Sequence, residues 1–125
     1  MTKVWLVDDD QIFIDIVMLL NESSEAALDF QVFPSGTAFL AALDEAANNE
    51  LPHVIMLDVT MPDLTGWEVL AALQERNWHT DYNIPIHLVT SFANLEDRKR
   101  AETFPEVSAY VVKPISMDYL MSLSK

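Results

Sequence analysis

The chain has 125 residues, a formal net charge of −13 and an apolar content of one half. That is enough for one domain with a single core, and too apolar for a disordered acidic tail. Lys3 and Arg76 bracket 72 residues with fourteen Asp or Glu and no Lys or Arg, a surface that repels nucleic-acid phosphates and anionic membranes.

The absence of cysteine excludes disulfides, thiolate metal sites and cysteine nucleophiles, and agrees with a reducing cytoplasm. Apolar runs are short, Ala38–Leu43 being typical, so no segment reads as a bilayer span. The N-terminal stretch reaches Asp8 too soon to read as a signal peptide.

Val4–Val7 predicts a strand that runs into Asp8-Asp9-Asp10. Gln11–Leu20 predicts a helix, with Asp10 placed to cap it. Asp29–Phe33 predicts a second strand closed by Pro34. Ser35 can cap a helix whose apolar face includes Phe39, Leu40, Leu43 and Ala47, broken by Asn48-Asn49 and Pro52. Val54–Leu57 is a continuous apolar run, as for a strand buried on both faces, and it ends at Asp58. Met61–Leu64 is a loop. Thr65-Gly66-Trp67-Glu68 has the form of a capping box and opens a helix through Val69, Leu70 and Leu73 to Arg76. Asn77–Asn83 reads as a polar linker that leaves Trp78 exposed. Pro85–Val89 predicts a fourth strand ending at Thr90-Ser91, and Leu95–Phe104 a highly charged helix. Ala109–Val112 predicts a fifth strand ending at Lys113-Pro114. Ser116 can cap a last helix, Met117–Leu123.

Five βα units in alternation predict a parallel sheet with helices on both faces, wound right-handedly. Two glycines are too few for a dinucleotide or P-loop phosphate cradle, and neither motif is present. In such a sheet, ligands bind beyond the carboxyl ends of the strands. Those ends carry Asp8, Asp9, Asp10, Asp58, Thr90 and Lys113. Carboxylates gathered in that way need a cation, and an oxygen-only donor set with waters suits Mg²⁺. A carboxylate nucleophile, Mg²⁺, a lysine and a hydroxyl are the parts needed to accept a phosphoryl group.

With these pieces in order, the chain resembles the receiver domains of two-component response regulators over its full length, 1–125. The matching pieces are Leu6-Val7-Asp8-Asp9-Asp10, Leu57-Asp58-Val59-Thr60-Met61-Pro62, Gly66, Leu88-Val89-Thr90-Ser91 and Tyr110-Val111-Val112-Lys113-Pro114. The resemblance implies a (βα)₅ doubly wound, flavodoxin-like fold with five parallel strands in the order 2-1-3-4-5. It implies that Asp58 takes a phosphoryl group from a histidine kinase or phosphotransfer protein. Asp9 would hold Mg²⁺ directly, Asp8 directly or through water, and the Thr60 carbonyl would complete the protein ligands. Thr90 and Lys113 would contact the phosphoryl oxygens. Tyr110 would act as an aromatic switch, and the Lys113–Pro114 peptide is a candidate for the cis form. Thr60 and Phe92 would flank the path of an attacking water. Phe92 would slow hydrolysis there, or else pack against its own helix.

Arg98-Lys99-Arg100 reads as a solvated face pairing with Glu96, Asp97 and Glu102, or as a partner contact. The resemblance places the output surface on the fourth helix, fifth strand and fifth helix. His53, His79 and His87 lack metal spacing and are given no chemistry. Pro105-Glu106-Val107-Ser108-Ala109 replaces the Gly-Ala common in the family, and Thr65 stands where an Asp often precedes the Gly. A stand-alone length, Thr90-Ser91 after the fourth strand and Phe104-Pro105-Glu106-Val107 before the fifth are similar to single-domain receivers of the Bacteroidetes type. The chain stops just after its fifth helix, which points to a stand-alone regulator more than to a fragment. The resemblance implies a signalling phosphoacceptor rather than an enzyme. Two other readings remain: a haloacid dehalogenase-like phosphatase using Asp8 and Asp10, and a phosphorylation-independent interaction module.

Overall fold

The computed structural model describes residues 1–92 and 94–124, without the side chain of His79. Five strands, β1 (Lys3–Val7), β2 (Asp29–Phe33), β3 (Val54–Asp58), β4 (Ile86–Thr90) and β5 (Val107–Val112), form one parallel sheet in the order β2-β1-β3-β4-β5. The helices are α1 (Gln11–Ser23), α2 (Gly36–Glu45), α3 (Gly66–Glu75), the one-turn α4 (Trp78–Asp81), α5 (Leu95–Glu102) and α6 (Met117–Ser122). A 3₁₀ turn covers Asn48–Glu50.

Strand alternation sorts the core into two layers. Trp5, Val7, Ile55, Leu57, Ile86 and Leu88 share one cluster with Phe39, Leu43, Val69, Leu70 and Leu73 of α2 and α3. Val4, Leu6, Val54, Met56 and Val89 share the other with Phe13, Ile14 and Val17 of α1 and Leu120 of α6. Every residue of β3 is buried, which is why its sequence is an unbroken apolar run ending in one acid. The caps form where the polar residues stand: the side chains of Asp10, Ser35, Thr65, Asn94 and Ser116 each accept a backbone N–H of the first turn. Thr65 and Glu68 complete the capping box.

Two expectations change. The fifth strand starts at Val107, two residues before Ala109, and a register irregularity lies between Ile86 and His87 on the paired strand. The linker is not simply polar, and Trp78 is not exposed. Asn77 and Asn83 take left-handed backbone angles (φ 56° and 52°), which Asn tolerates, and the chain folds back on itself between them. Trp78 is thereby fully buried, donates its indole N–H to the Ile84 carbonyl (3.1 Å) and stacks on Tyr82. His87 also has a structural partner: its Nδ1 lies 2.6 Å from the Tyr119 hydroxyl, tying β4 to α6. Burial lowers the His87 pKa, so the ring is neutral at neutral pH.

Trp78→Ala removes the largest fully buried side chain. The variant is expected to lose about 3–5 kcal/mol in urea unfolding followed by circular dichroism. A loss under about 1 kcal/mol would place the ring outside the core.

Candidate functional site

Strand register builds the site. Val7 lies level with Phe33 and Leu57, Asp58 with Val89, and Thr90 with Val112. Backbone bonds carry the ladder past the strand ends: Asp8 N–H donates to Phe33, Val59 N–H to Val89, and Lys113 N–H to Thr90. Asp8 and Asp58 therefore leave the neighbouring strands β1 and β3 at one level, while Lys113 leaves β5, on the far side of β4, two residues further along the register. Together with Asp9, Asp10, Thr60, Ser91 and Phe92, Asp58 and Lys113 line a cleft of about 220 Å³.

Among the described residues Lys113 is the one cation lining this cleft. Its Nζ lies 2.9 Å from Asp8 Oδ2 and 3.7 Å from Asp58 Oδ1, and 4.3 Å above the Phe13 ring. Phe13 was not singled out in the sequence; its only signal is its place in the first turn after the acidic triplet. Asp8 is 0% and Asp58 5% exposed. Asp8 Oδ2 has the lysine charge beside it but no well-formed hydrogen bond, while its Oδ1 accepts the Asp10 N–H at 2.9 Å. Burial is the main cause raising the Asp8 pKa, against the Asp10 N–H and Lys113, which lower it. Burial and then the Asp8 charge push Asp58 up to about 7, against Lys113 and the Thr60 N–H. One lysine does not balance the acids around it.

Oxygens of Asp8, Asp9 and Asp58 lie within 4.8 Å of one another. An oxygen-only set with a surplus of negative charge fits a hard divalent cation. Asp10 stands apart from this set: its Oδ1 accepts the N–H groups of Ile12 and Phe13. The phosphatase reading needs that carboxylate as its acid, and here it serves as the cap of α1.

The remaining candidates fall around the rim. Thr90 is buried, but its hydroxyl is turned to the Phe92 backbone, donating to the carbonyl at 3.3 Å and accepting from the N–H at 3.2 Å. Phe92 is 76% exposed, so it does not pack into the core with its helix; it borders the cleft with Thr60. Tyr110 is half-buried and donates its hydroxyl to the Phe92 carbonyl. The Lys113–Pro114 peptide is cis. Arg98 and Arg100 form no ion pair with Glu96, Asp97 or Glu102 among the described residues; they lie over the rings of Tyr110 and Trp67.

Residues 4–125 match the family of response regulator receiver domains. The chain is a response regulator receiver domain. The receiver resembles the transcriptional regulatory protein CreB of Escherichia coli, 32% identical over 90% of this chain and 44% of that protein. It is 29% identical to the probable transcriptional regulatory protein TcrX of Mycobacterium tuberculosis, over 92% of this chain and 44% of that protein. The chain spans less than half the length of these relatives. Its structure superposes on a two-component response regulator from Cytophaga hutchinsonii with a TM-score of 0.86 at 27% identity, covering 98% of this chain and 92% of that one. That neighbour agrees with the Bacteroidetes-type expectation. The Mn²⁺-bound form of response regulator Rcp1 shares the fold, with a TM-score of 0.76 at 23% identity, over 99% and 89% of the two chains. The flavodoxin-like topology and the phosphoacceptor role in two-component signalling hold. Among the described residues no helix is long and apolar enough to cross a membrane.

One glycine sets the depth of the receiver's acid. A Cβ on Gly66 would meet the Asp58 carbonyl oxygen at 2.8 Å and Val59 Cα at 2.9 Å, and the Gly66 N–H donates to the Val59 carbonyl at 2.7 Å. The N-terminus of α3 thus rests on the backbone of Asp58, where any side chain forces the two apart.

Asp58 also gives the metal-free fold a pH dependence. Its folded pKa, about 7, is raised above the ordinary 3.8. The fold therefore loses stability as pH rises from about 4 to about 7, and bears the full penalty above that. Asp58→Asn is expected to raise the melting temperature near pH 8 without metal, by about 4 °C for each kcal/mol of repulsion relieved. The gain should shrink toward pH 4. A gain that is absent at pH 8, or larger at pH 4, contradicts the assignment.

Proposed function

We propose that this receiver accepts a phosphoryl group on Asp58 in a Mg²⁺-dependent reaction, and that the modified site alters a protein-binding surface. The observation that carries the reading is the pair of buried carboxylates, Asp8 and Asp58, sharing one lysine. The deficit of positive charge is what a divalent cation and a phosphoryl group would use together. Asp8 and Asp9 would hold Mg²⁺ with Asp58 and the Thr60 carbonyl; bound there, it would neutralise charge on the transferring phosphoryl group.

The chain's own residues do the rest. An Asp58 carboxylate oxygen attacks phosphorus, the new O–P bond forms, and the bond to the donor breaks with its electrons leaving on the donor. Lys113, 3.7 Å from Asp58, is within reach of the phosphoryl oxygens after a small shift from Asp8. Thr90 offers a second donor once its hydroxyl turns from Phe92. Phe92 and Thr60 at the mouth limit how water reaches the acyl phosphate.

The donor would be a phosphohistidine of a kinase or phosphotransfer protein. Ile12, Ile16 and Leu19 are exposed along one side of α1, which starts beside the cleft, and would give that partner an apolar footing. The output surface would be the face made by α5, β5 and α6.

Acetyl phosphate should add one phosphoryl mass to the intact protein with Mg²⁺ present, and little with chelator. Asp58→Asn should abolish the adduct. An adduct that survives this substitution, or forms equally without Mg²⁺, contradicts the proposal.

A further inference from the structure

Helix α5 has a weak hold on the core, because Ala101 is its one buried residue among those described. Two arginines strengthen it. The Arg98 guanidinium lies 5.2 Å from the centre of the Tyr110 ring on β5, and Arg100 lies 4.6 Å from that of Trp67 on α3. Neither pairs with an acid among the described residues.

The Tyr110 contact reaches further than the Trp67 contact. The Tyr110 hydroxyl donates to the Phe92 carbonyl at 3.3 Å, and the Thr90 hydroxyl donates to the same carbonyl at 3.3 Å. The Phe92 N–H returns a bond to the Thr90 oxygen at 3.2 Å. The Phe92 carbonyl thus joins the buried threonine at the site's rim to the tyrosine, whose ring Arg98 covers.

We propose that Arg98 is a positioning residue: by holding the Tyr110 ring it fixes the Phe92 peptide and keeps the Thr90 hydroxyl turned away from Asp58. The inference rests on the phosphoacceptor reading. A phosphoryl group on Asp58 needs the Thr90 proton, so Thr90 must give up its bonds to Phe92. While Tyr110 anchors Phe92, that exchange is opposed. For Tyr110 to move, Arg98 must give up the ring face. Arg98 therefore weights the resting arrangement and restrains phosphorylation, whereas Arg100 holds the helix without touching this chain of contacts.

Two measurements test it in the full chain. The first is the initial rate of adduct formation with acetyl phosphate and Mg²⁺. Arg98→Ala should be about two- to fivefold faster than wild type, the range set by an exposed cation–π contact. Arg98→Lys should fall back toward wild type, and Arg100→Gln should match wild type. The second is hydrogen exchange of the Phe92 amide without phosphodonor. Arg98→Ala should exchange about two- to fivefold faster, and Arg100→Gln should not change. Unchanged Phe92 exchange in Arg98→Ala overturns the proposal, as does an equal acceleration in Arg100→Gln, which would mean general loosening of α5. The exchange measurement needs no phosphoryl transfer. A wild type that forms no Asp58 adduct therefore counts against the phosphoacceptor reading, while Phe92 exchange still decides the role of Arg98.

Discussion

Lys113 is held between two buried carboxylates, Asp8 on one side and Asp58 on the other. Much of the molecule serves that arrangement. The parallel register sets Asp8 and Asp58 at one level, and the backbone ladder continues past the strand ends to Lys113. Phe13 supports the ammonium from α1, and Gly66 lets α3 rest on the backbone of Asp58. Apolar strands on both sides remove water from the two acids, which makes their repulsion costly and their demand for a cation strong. The same burial that raises the carboxylate pKa values is what would make a metal ion and a phosphoryl group effective there.

The rim is built differently. Thr90, Phe92, Tyr110 and Arg98 are linked by single hydrogen bonds near 3.3 Å and one cation–π contact. Each is individually weak. Such a chain of contacts can rearrange for a modest change at Asp58, which a well-packed core cannot. Strong electrostatics at the strand ends would suit the proposed phosphoryl chemistry, and weak couplings at the rim the proposed signalling.

The sheet and its order were legible because five short apolar runs alternate with capped helices, and because the residues that bear chemistry all fall just after those runs. Asp10, Ser35, Thr65 and Ser116 cap as their positions predict. Trp78 was not legible. Its neighbours are polar, and its burial depends on two asparagines with left-handed backbone, which is a property of the folded chain rather than of hydropathy. Helical spacing places Glu96, Asp97 and Glu102 beside Arg98 and Arg100, so the sequence predicts ion pairs or a partner contact there. The aromatic rings the arginines cover belong to other elements, Tyr110 on β5 and Trp67 on α3, and no local pattern announces them. Asp8, Asp9 and Asp58 account for three of the acids in the base-free stretch, and Asp10 caps α1. Asp44 pairs with Arg76, and Asp63 accepts the Thr37 N–H at 2.9 Å; the Thr37 hydroxyl first, and then this N–H, lower its pKa. Much of the surplus charge is therefore structural or solvent-facing.

The account turns on a deficit of positive charge at the buried acids, and melting temperature against Mg²⁺ concentration reads that deficit most directly. Near pH 8 the wild type should be stabilised progressively by Mg²⁺, by about 2.7 kcal/mol at a hundredfold excess over the dissociation constant. Near pH 5 the effect should weaken, because Asp58 holds a proton that the metal must displace. A melting temperature indifferent to Mg²⁺ at pH 8 would contradict the account, as would a larger Mg²⁺ effect at the lower pH.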